Sequence, residues 1–200
     1  MASDPTAIMS IISSFKGKTA FDIGANDGEV TDILLKNFDL VIAFEPQPEF
    51  YRRLTEKYQG NHRVVVLDYA LSDNINNPKE YAIRRNSQNQ FTSPVNSFLI
   101  KQWGEVISTA TPPTMTIDIY TEQTGLRPDF MKIDTEGAEY DIIRGGFHYL
   151  ISALPRLFIE IHSEENGRKI QSLLPDLKVV RHPHYRKDSE EYLNHHFLIR

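Results

Sequence analysis

Cysteine is absent from all 200 residues. That excludes disulfides, zinc–thiolate sites, iron–sulfur clusters and cysteine nucleophiles, and it fits a reducing, cytoplasmic setting. Long apolar runs are missing too. No stretch approaches the roughly 20 residues that a spanning helix needs, which predicts no membrane span. Positive charge is in deficit, with 22 Lys and Arg against 27 Asp and Glu and a formal charge of −5. This is the wrong sign for a general nucleic-acid or anionic-membrane binder, whose affinity leans on a basic surface. Asp4 stands where a signal peptide would carry basic residues. Ile8, Met9, Ile11, Ile12 and Phe15 recur at helical spacing, so an amphipathic helix is predicted over residues 1–16. The chain also lacks a G-x-G-x-x-G turn and any tyrosine followed four residues later by lysine. Both absences count against a nicotinamide-dependent oxidoreductase.

What is present is an alternation. The runs TAFDI (19–23), LVIAF (40–44) and RVVVL (63–67) are separated by helical patterns, one through Val30, Ile33, Leu34 and Phe38, the next from about 48 to 58. Continuous apolar strands alternating with helices specify an α/β fold, Rossmann-like, with a mainly parallel sheet covered on both faces. Residues 73–113 are rich in Asn, Gln, Ser and Pro. They predict a substrate-facing lid or insertion with one short strand at 80–83, the apolar patch 98–100 and Trp103. Regularity returns with MTIDIY (115–120), then a short helix, a strand at 129–133, a helix over 138–150, a strand at 156–162 and a helix near 166–174. Residues 177–180 and 195–199 read as a closing antiparallel pair. No repeat or linker divides the chain, so residues 1–200 are read as one domain.

The site candidates lie at strand ends. Gly24 and Gly28 sit between the first strand and its helix, where glycines let the backbone approach a ligand and expose amide N–H groups. A tight turn capped by Asn26 or Asp27 is the plainer alternative. Glu45 ends the second strand 21 residues beyond Gly24, the register from which an acid takes both hydroxyls of a ribose. Asp68 or Tyr69, ending the third strand, is the matching place for an adenine contact. The segment KIDTEGAEYD (132–141) packs four carboxylates after a buried strand. Asp134 and Glu136 fall at the strand end and turn; Glu139 and Asp141 fall in the first turn of the next helix, where the macrodipole favours acids.

FDIGANDGEVT, VIAFEPQPEFYRRL, VVVLDYALSD, TIDIY and above all DFMKIDTEGAEYDIIRGG resemble the FkbM family of S-adenosylmethionine-dependent methyltransferases, over roughly residues 19–162. The resemblance implies a class I methyltransferase fold of about seven strands, mainly parallel, with an antiparallel final strand. It implies S-adenosylmethionine as cofactor, bound by Asp22, Gly24, Asn26 and Glu45, and methyl transfer to oxygen on a sugar, glycan or other natural-product acceptor.

A hydroxyl acceptor calls for a base. The candidates are Asp134, Glu136, Glu139, Glu160 and His162, the last having the unperturbed pKa best suited to neutral pH. Glu160 and His162, two apart in a strand, share one face. Asp134, Glu136 and His162 could also gather a divalent cation, but no tight ligand spacing supports it, and metal dependence is not the favoured expectation. A silent nucleotide-binding module is the other alternative; it would have no need of a base. The basic stretch 181–187, the pair Arg84 and Arg85, and His195 and His196 carry weaker signals for an anionic acceptor or a further site group.

Overall fold

The computed structural model describes residues 5–76, 78, 80–85, 90–94, 105–181 and 196–200. The chain opens with α1 (Pro5–Ser13), β1 (Gly17–Ile23), α2 (Glu29–Leu34), β2 (Phe38–Phe44), α3 (Pro48–Lys57) and β3 (Val64–Leu67). The middle comprises β4 (Ala70–Leu71), β5 (Tyr81–Arg85), β6 (Gln90–Pro94), β7 (Glu105–Ala110), β8 (Thr114–Met115) and α4 (Ile117–Thr124). Then come β9 (Phe130–Ile133), α5 (Glu139–Gly145), α6 (Phe147–Ala153), β10 (Arg156–Ile161), α7 (Glu164–Leu173), β11 (Lys178–Arg181) and β12 (His196–Ile199).

The main sheet runs in the order β11-β12-β10-β9-β1-β2-β3. Its five strands β3, β2, β1, β9 and β10 are parallel, and β12 pairs antiparallel with both β10 and β11. From β1 the chain steps outward through β2 and β3, then returns to lay β9 against the other side of β1. The carboxyl ends of β1 and β9 therefore flank a crevice where strand order reverses, the usual ligand position in an open α/β sheet.

Two apolar layers hold this sheet. On one face Phe21, Ile23, Ile42, Phe44, Met131, Ile133 and Ile159 pack with residues of α4 to α7, among them Tyr120, Ile142, Leu150 and Ile170. Phe21, Phe44 and Tyr120 meet edge to face at 5.2 to 5.6 Å between ring centroids, a geometry that adds to their area burial. On the other face Ala20, Val41, Phe130 and Phe158 pack with Ile12 of α1 and Leu34 of α2. Both faces being buried is why the strands read as unbroken apolar runs.

Several elements differ from the sequence expectation, each for a local reason. Phe38 starts β2 rather than continuing α2, and the helix stops at Leu34. MTIDIY is helical from Ile117: Thr116 caps α4, its Oγ1 accepting the Ile119 N–H at 3.1 Å. The helix expected over 138–150 is two helices, broken at Gly145-Gly146. A Cβ on Gly145 would sit 1.9 Å from the Ser72 carbonyl oxygen, and Asp118 caps the second helix by accepting N–H bonds from His148 and Tyr149 at 3.2 and 2.8 Å. The 73–113 segment holds more than one strand: β5 pairs antiparallel with both β6 and β7, a small second sheet. Residues 98–100, Trp103, 182–187 and His195 lie outside the described residues.

The crevice depends on Gly24. Its φ is +78°, and a Cβ there would lie 1.9 Å from the Asp134 carbonyl oxygen. Gly60 has the same φ of +78° with nothing within 4 Å. Gly60→Ala should therefore cost about 1 kcal/mol from backbone strain alone, whereas Gly24→Ala should cost several-fold more or abolish folding. Equal losses in denaturant melts would contradict the close packing of β1 against β9.

Candidate functional site

The crevice begins with a turn. After β1, the Gly24 and Ala25 N–H groups both donate to the Phe44 carbonyl, at 3.0 and 3.1 Å, which ties the turn to the end of β2. Asn26 adopts φ 51° and Gly28 φ 84°. The Asn26 N–H donates to Glu45 Oε2 at 2.8 Å, and the Gln47 N–H donates to Oε1 at 2.9 Å. Glu45 is thus buried, 5% exposed, and clamped by one amide on each oxygen. Each oxygen keeps a second lone-pair direction for a ligand donor. Burial pushes its carboxyl up to about 7, with the two amides and Lys132 opposing the shift.

One cavity is lined by Gly24, Asn26, Glu45, Tyr69, Asp134 and Glu136, with Ile23, Phe44, Phe50, Leu71, Ala138 and Ile142 among its apolar walls. The sequence-derived candidates Gly24, Asn26, Glu45 and Tyr69 therefore converge. Asp68 is exposed and does not line it, and Gly28 lies at the start of α2, where a Cβ would meet Tyr58 and Leu54 at 2.6 and 2.8 Å. Asp22 is wholly buried beneath the cavity's turn rather than in its wall.

Asp22 takes a 2.6 Å hydrogen bond from the Thr31 hydroxyl. Opposite it, in register on β9, stands Lys132. The Lys132 ammonium, 4% exposed, donates to the Gly24 carbonyl at 2.7 Å and lies 3.4 Å from Asp22 Oδ1 and 3.5 Å from Asp134 Oδ2. Burial disfavours its charge, but Asp134, Asp22 and Glu160 outweigh that and hold its pKa at about 12. Burial raises Asp22, with Lys132 and Thr31 pulling against it.

Beyond Lys132 the acids gather round one imidazole. His162 follows β10 and is buried; its Nδ1 lies 2.9 Å from Glu139 Oε1, and its Nε2 lies 3.4 Å from Glu136 Oε2 and 3.6 Å from Asp134 Oδ1. Glu139 is fully buried and also accepts the Gly137 N–H at 2.8 Å, while Asn166 reaches its other oxygen at 3.4 Å. Burial alone would raise Glu139, but His162 and the Gly137 amide hold it below its ordinary range. Burial likewise opposes an imidazolium, yet Glu136, Glu139 and Glu160 outweigh it and raise His162 well above 6.5. Glu160 is pushed up to about 8 by burial and by Asp134, and Glu136 is raised by burial. Glu136 holds φ 55°, a left-handed conformation that non-glycine residues rarely take outside functional turns.

One site residue carries no role in the sequence reading: Lys132, although a lysine inside a buried apolar run must be paired. Glu139 reads in sequence as a base candidate and a helix-start acid; in the fold it is the partner of His162. Residues capable of holding a cation are Asp134, Glu160 and His162, whose ligand atoms lie within 4.8 Å of one another. Sequence reasoning grouped Glu136 with Asp134 and His162 instead.

Residues 22–191 match the protein-family model described as the methyltransferase FkbM domain. No curated protein matches the chain. Among solved structures it is similar to methyltransferase FkbM from Methylobacillus flagellatus KT, at 18% identity and a TM-score of 0.59, over 92% of this chain and 44% of that one. The chain thus spans less than half of that protein's length. It is also similar to an rRNA methylase from Streptococcus thermophilus, at 10% identity and a TM-score of 0.54, over 100% of this chain and 96% of that one. A third is precorrin 8w decarboxylase from Methanobacterium thermoautotrophicum, at 14% identity and a TM-score of 0.55, over 100% and 95% of the two chains. At such identities what is shared is the fold.

The buried acids set the sign of a pH dependence. Glu45 has a folded pKa of about 7 against 4.5 unfolded, so between those values the folded state keeps a proton that the unfolded state has lost. Stability then falls as pH rises. The raised His162 acts in the same sense, its contribution being complete below 6.5 and lost as pH climbs through the folded value. Urea melts of the ligand-free protein should show stability falling by up to about 3 kcal/mol between about pH 5 and about pH 8. A rise across that window would contradict a buried, protonated Glu45.

Proposed function

The chain belongs to the FkbM methyltransferase family, and from that premise we propose that it is an S-adenosylmethionine-dependent O-methyltransferase acting on a hydroxyl of a sugar, glycan or other natural-product acceptor. The observation that carries the reading is Glu45: a buried carboxylate at the end of β2, lining the crevice where strand order reverses, with a lone pair left on each oxygen. That pair of acceptors fits the two hydroxyls of a ribose. The order of the sheet, with β12 antiparallel beside β10, supports reading the domain as the seven-stranded class I architecture.

S-adenosylmethionine supplies an activated methyl group on a cationic sulfonium. Asn26 and Glu45 hold the ribose side of the cavity, Tyr69 offers a face to the adenine, and the Gly24 turn meets the amino-acid end. Asp134 and Glu136 add negative potential to the same wall, which favours a cation there. They are also the members of the acid cluster that reach the cavity, so an acceptor hydroxyl passes its proton to them. His162, held as an imidazolium by its carboxylates, has no lone pair for that step while it is charged. In this reading it orders the acids rather than serving as the base. Asp68, exposed as it is, takes a lesser part in adenine binding than Tyr69.

An oxidoreductase reading lacks its glycine turn, and a silent binding module leaves the clustered acids at the cavity wall without a use. RNA, the substrate named for the Streptococcus neighbour, is a polyanion, which Asp134 and Glu136 would repel.

Calorimetry should show S-adenosylhomocysteine binding and no binding of NAD. Glu45→Ala should weaken that binding roughly tenfold or more, about 1.4 kcal/mol. Preference for NAD would sink the methyltransferase assignment, and unchanged affinity in Glu45→Ala would sink the ribose role. Transfer of labelled methyl groups across sugars, glycolipids, polyketides and nucleosides should mark a hydroxyl of one of the first three.

A further inference from the structure

We propose that Asp134, Glu160 and His162, with Glu136 as a fourth ligand, bind a divalent cation of the magnesium or manganese type at the edge of the cofactor cavity. The three side chains come from the ends of β9 and β10, and one oxygen or nitrogen of each lies within 4.8 Å of the others. Atoms bonded at about 2.0 to 2.2 Å to one ion lie at most about 4.4 Å apart, so the three side chains draw in by a few tenths of an ångström to close on it.

The surrounding contacts leave the ligand atoms available. Asp134 divides its oxygens: Oδ2 faces Lys132 at 3.5 Å, while Oδ1 faces His162 Nε2 at 3.6 Å. The His162 ring is turned by Glu139, which occupies Nδ1 at 2.9 Å and leaves Nε2 toward the carboxylates, where a cation takes the place of the imidazolium's Nε2 proton. Glu139 is anchored by the Gly137 N–H at 2.8 Å. A carboxylate on the far nitrogen is the usual support of a metal-binding histidine, since it fixes ring orientation and tautomer. Glu136 Oε2 is buried without a hydrogen-bond partner, 3.4 Å from the same Nε2. Among the described residues, Glu160 has no hydrogen bond or ion pair that would occupy its carboxylate. Four carboxylates, Asp134, Glu136, Glu139 and Glu160, thus face one imidazole and one ammonium, and a divalent cation balances that excess.

Two cluster members, Asp134 and Glu136, line the cavity, so a cation there presents its open positions to whatever lies beside the cofactor. A bound hydroxyl would be acidified and oriented at once. This role rests on the methyl-transfer reading, whereas the existence of the site does not. The acceptor class it favours is a polyol whose neighbouring hydroxyls chelate the ion through two oxygens.

Manganese paramagnetic resonance on the purified chain tests the site directly. Wild type should take up about one Mn2+ saturably, with affinity reduced tenfold or more in Glu160→Gln and in Glu139→Gln. The surface variant Glu56→Gln should bind as wild type does. No saturable Mn2+ in wild type, or equal affinity in wild type and Glu160→Gln, would overturn the proposal. S-adenosylhomocysteine binding on the same samples confirms folding and reports separately on the methyltransferase reading.

Discussion

A single buried ammonium organises the crevice. Lys132 stands in the middle of an otherwise apolar strand and bonds the Gly24 carbonyl at 2.7 Å, so the turn that opens the site is pinned to β9 by a charge as well as by close packing. The same nitrogen faces Asp22 and Asp134. Removing one partner of a buried pair strands the other, at about 3 to 5 kcal/mol. The arrangement therefore holds as a set: Asp22 needs Lys132, Lys132 needs both acids, and the Gly24 carbonyl takes its hydrogen bond from the same ammonium.

The next layer outward repeats the logic with an imidazole. Glu139, the third acid of KIDTEGAEYD, is wholly buried and directs its charge to His162 and to the amides of its own turn. That leaves Asp134 and Glu136 facing the cavity, with Glu160 beside them. Division of labour among four nearby acids follows from which of them is desolvated against a cation and which keeps a lone pair toward open space. Glu136 also carries backbone strain, φ 55°. Such strain is tolerated where the surrounding contacts over-determine the turn.

The alternation of apolar runs made the parallel sheet and its crevice legible, and Gly24 and Glu45 could be placed from register alone. Charged residues inside those runs held more information than was drawn from them. Asp22 in TAFDI and Lys132 in FMKI are opposite charges in adjacent buried strands, and each predicts the other once the strands are paired. Glu160 and His162 were legible as a shared face, and Glu136 as a neighbour of His162, but the left-handed turn at Glu136 was not, because such a non-glycine residue leaves no signature beyond the glycine after it. MTIDIY alone does not show where its helix begins, because a short apolar run suits strand or helix equally; the capping Thr116 is the decisive residue. The break at Gly145-Gly146 was set by a distant strand end, the Ser72 carbonyl, which no local pattern reveals.

The central claim is that the reversal point between β1 and β9, with Glu45 at its rim, is a cofactor site for methyl transfer. The most direct test is a crystal structure of the chain with S-adenosylhomocysteine. Both ribose hydroxyls should lie on the Glu45 carboxylate, the amino-acid end against the Gly24 turn, and the sulfur on the side of Asp134 and Glu136. A ligand seated elsewhere, or a ribose turned away from Glu45, would contradict it.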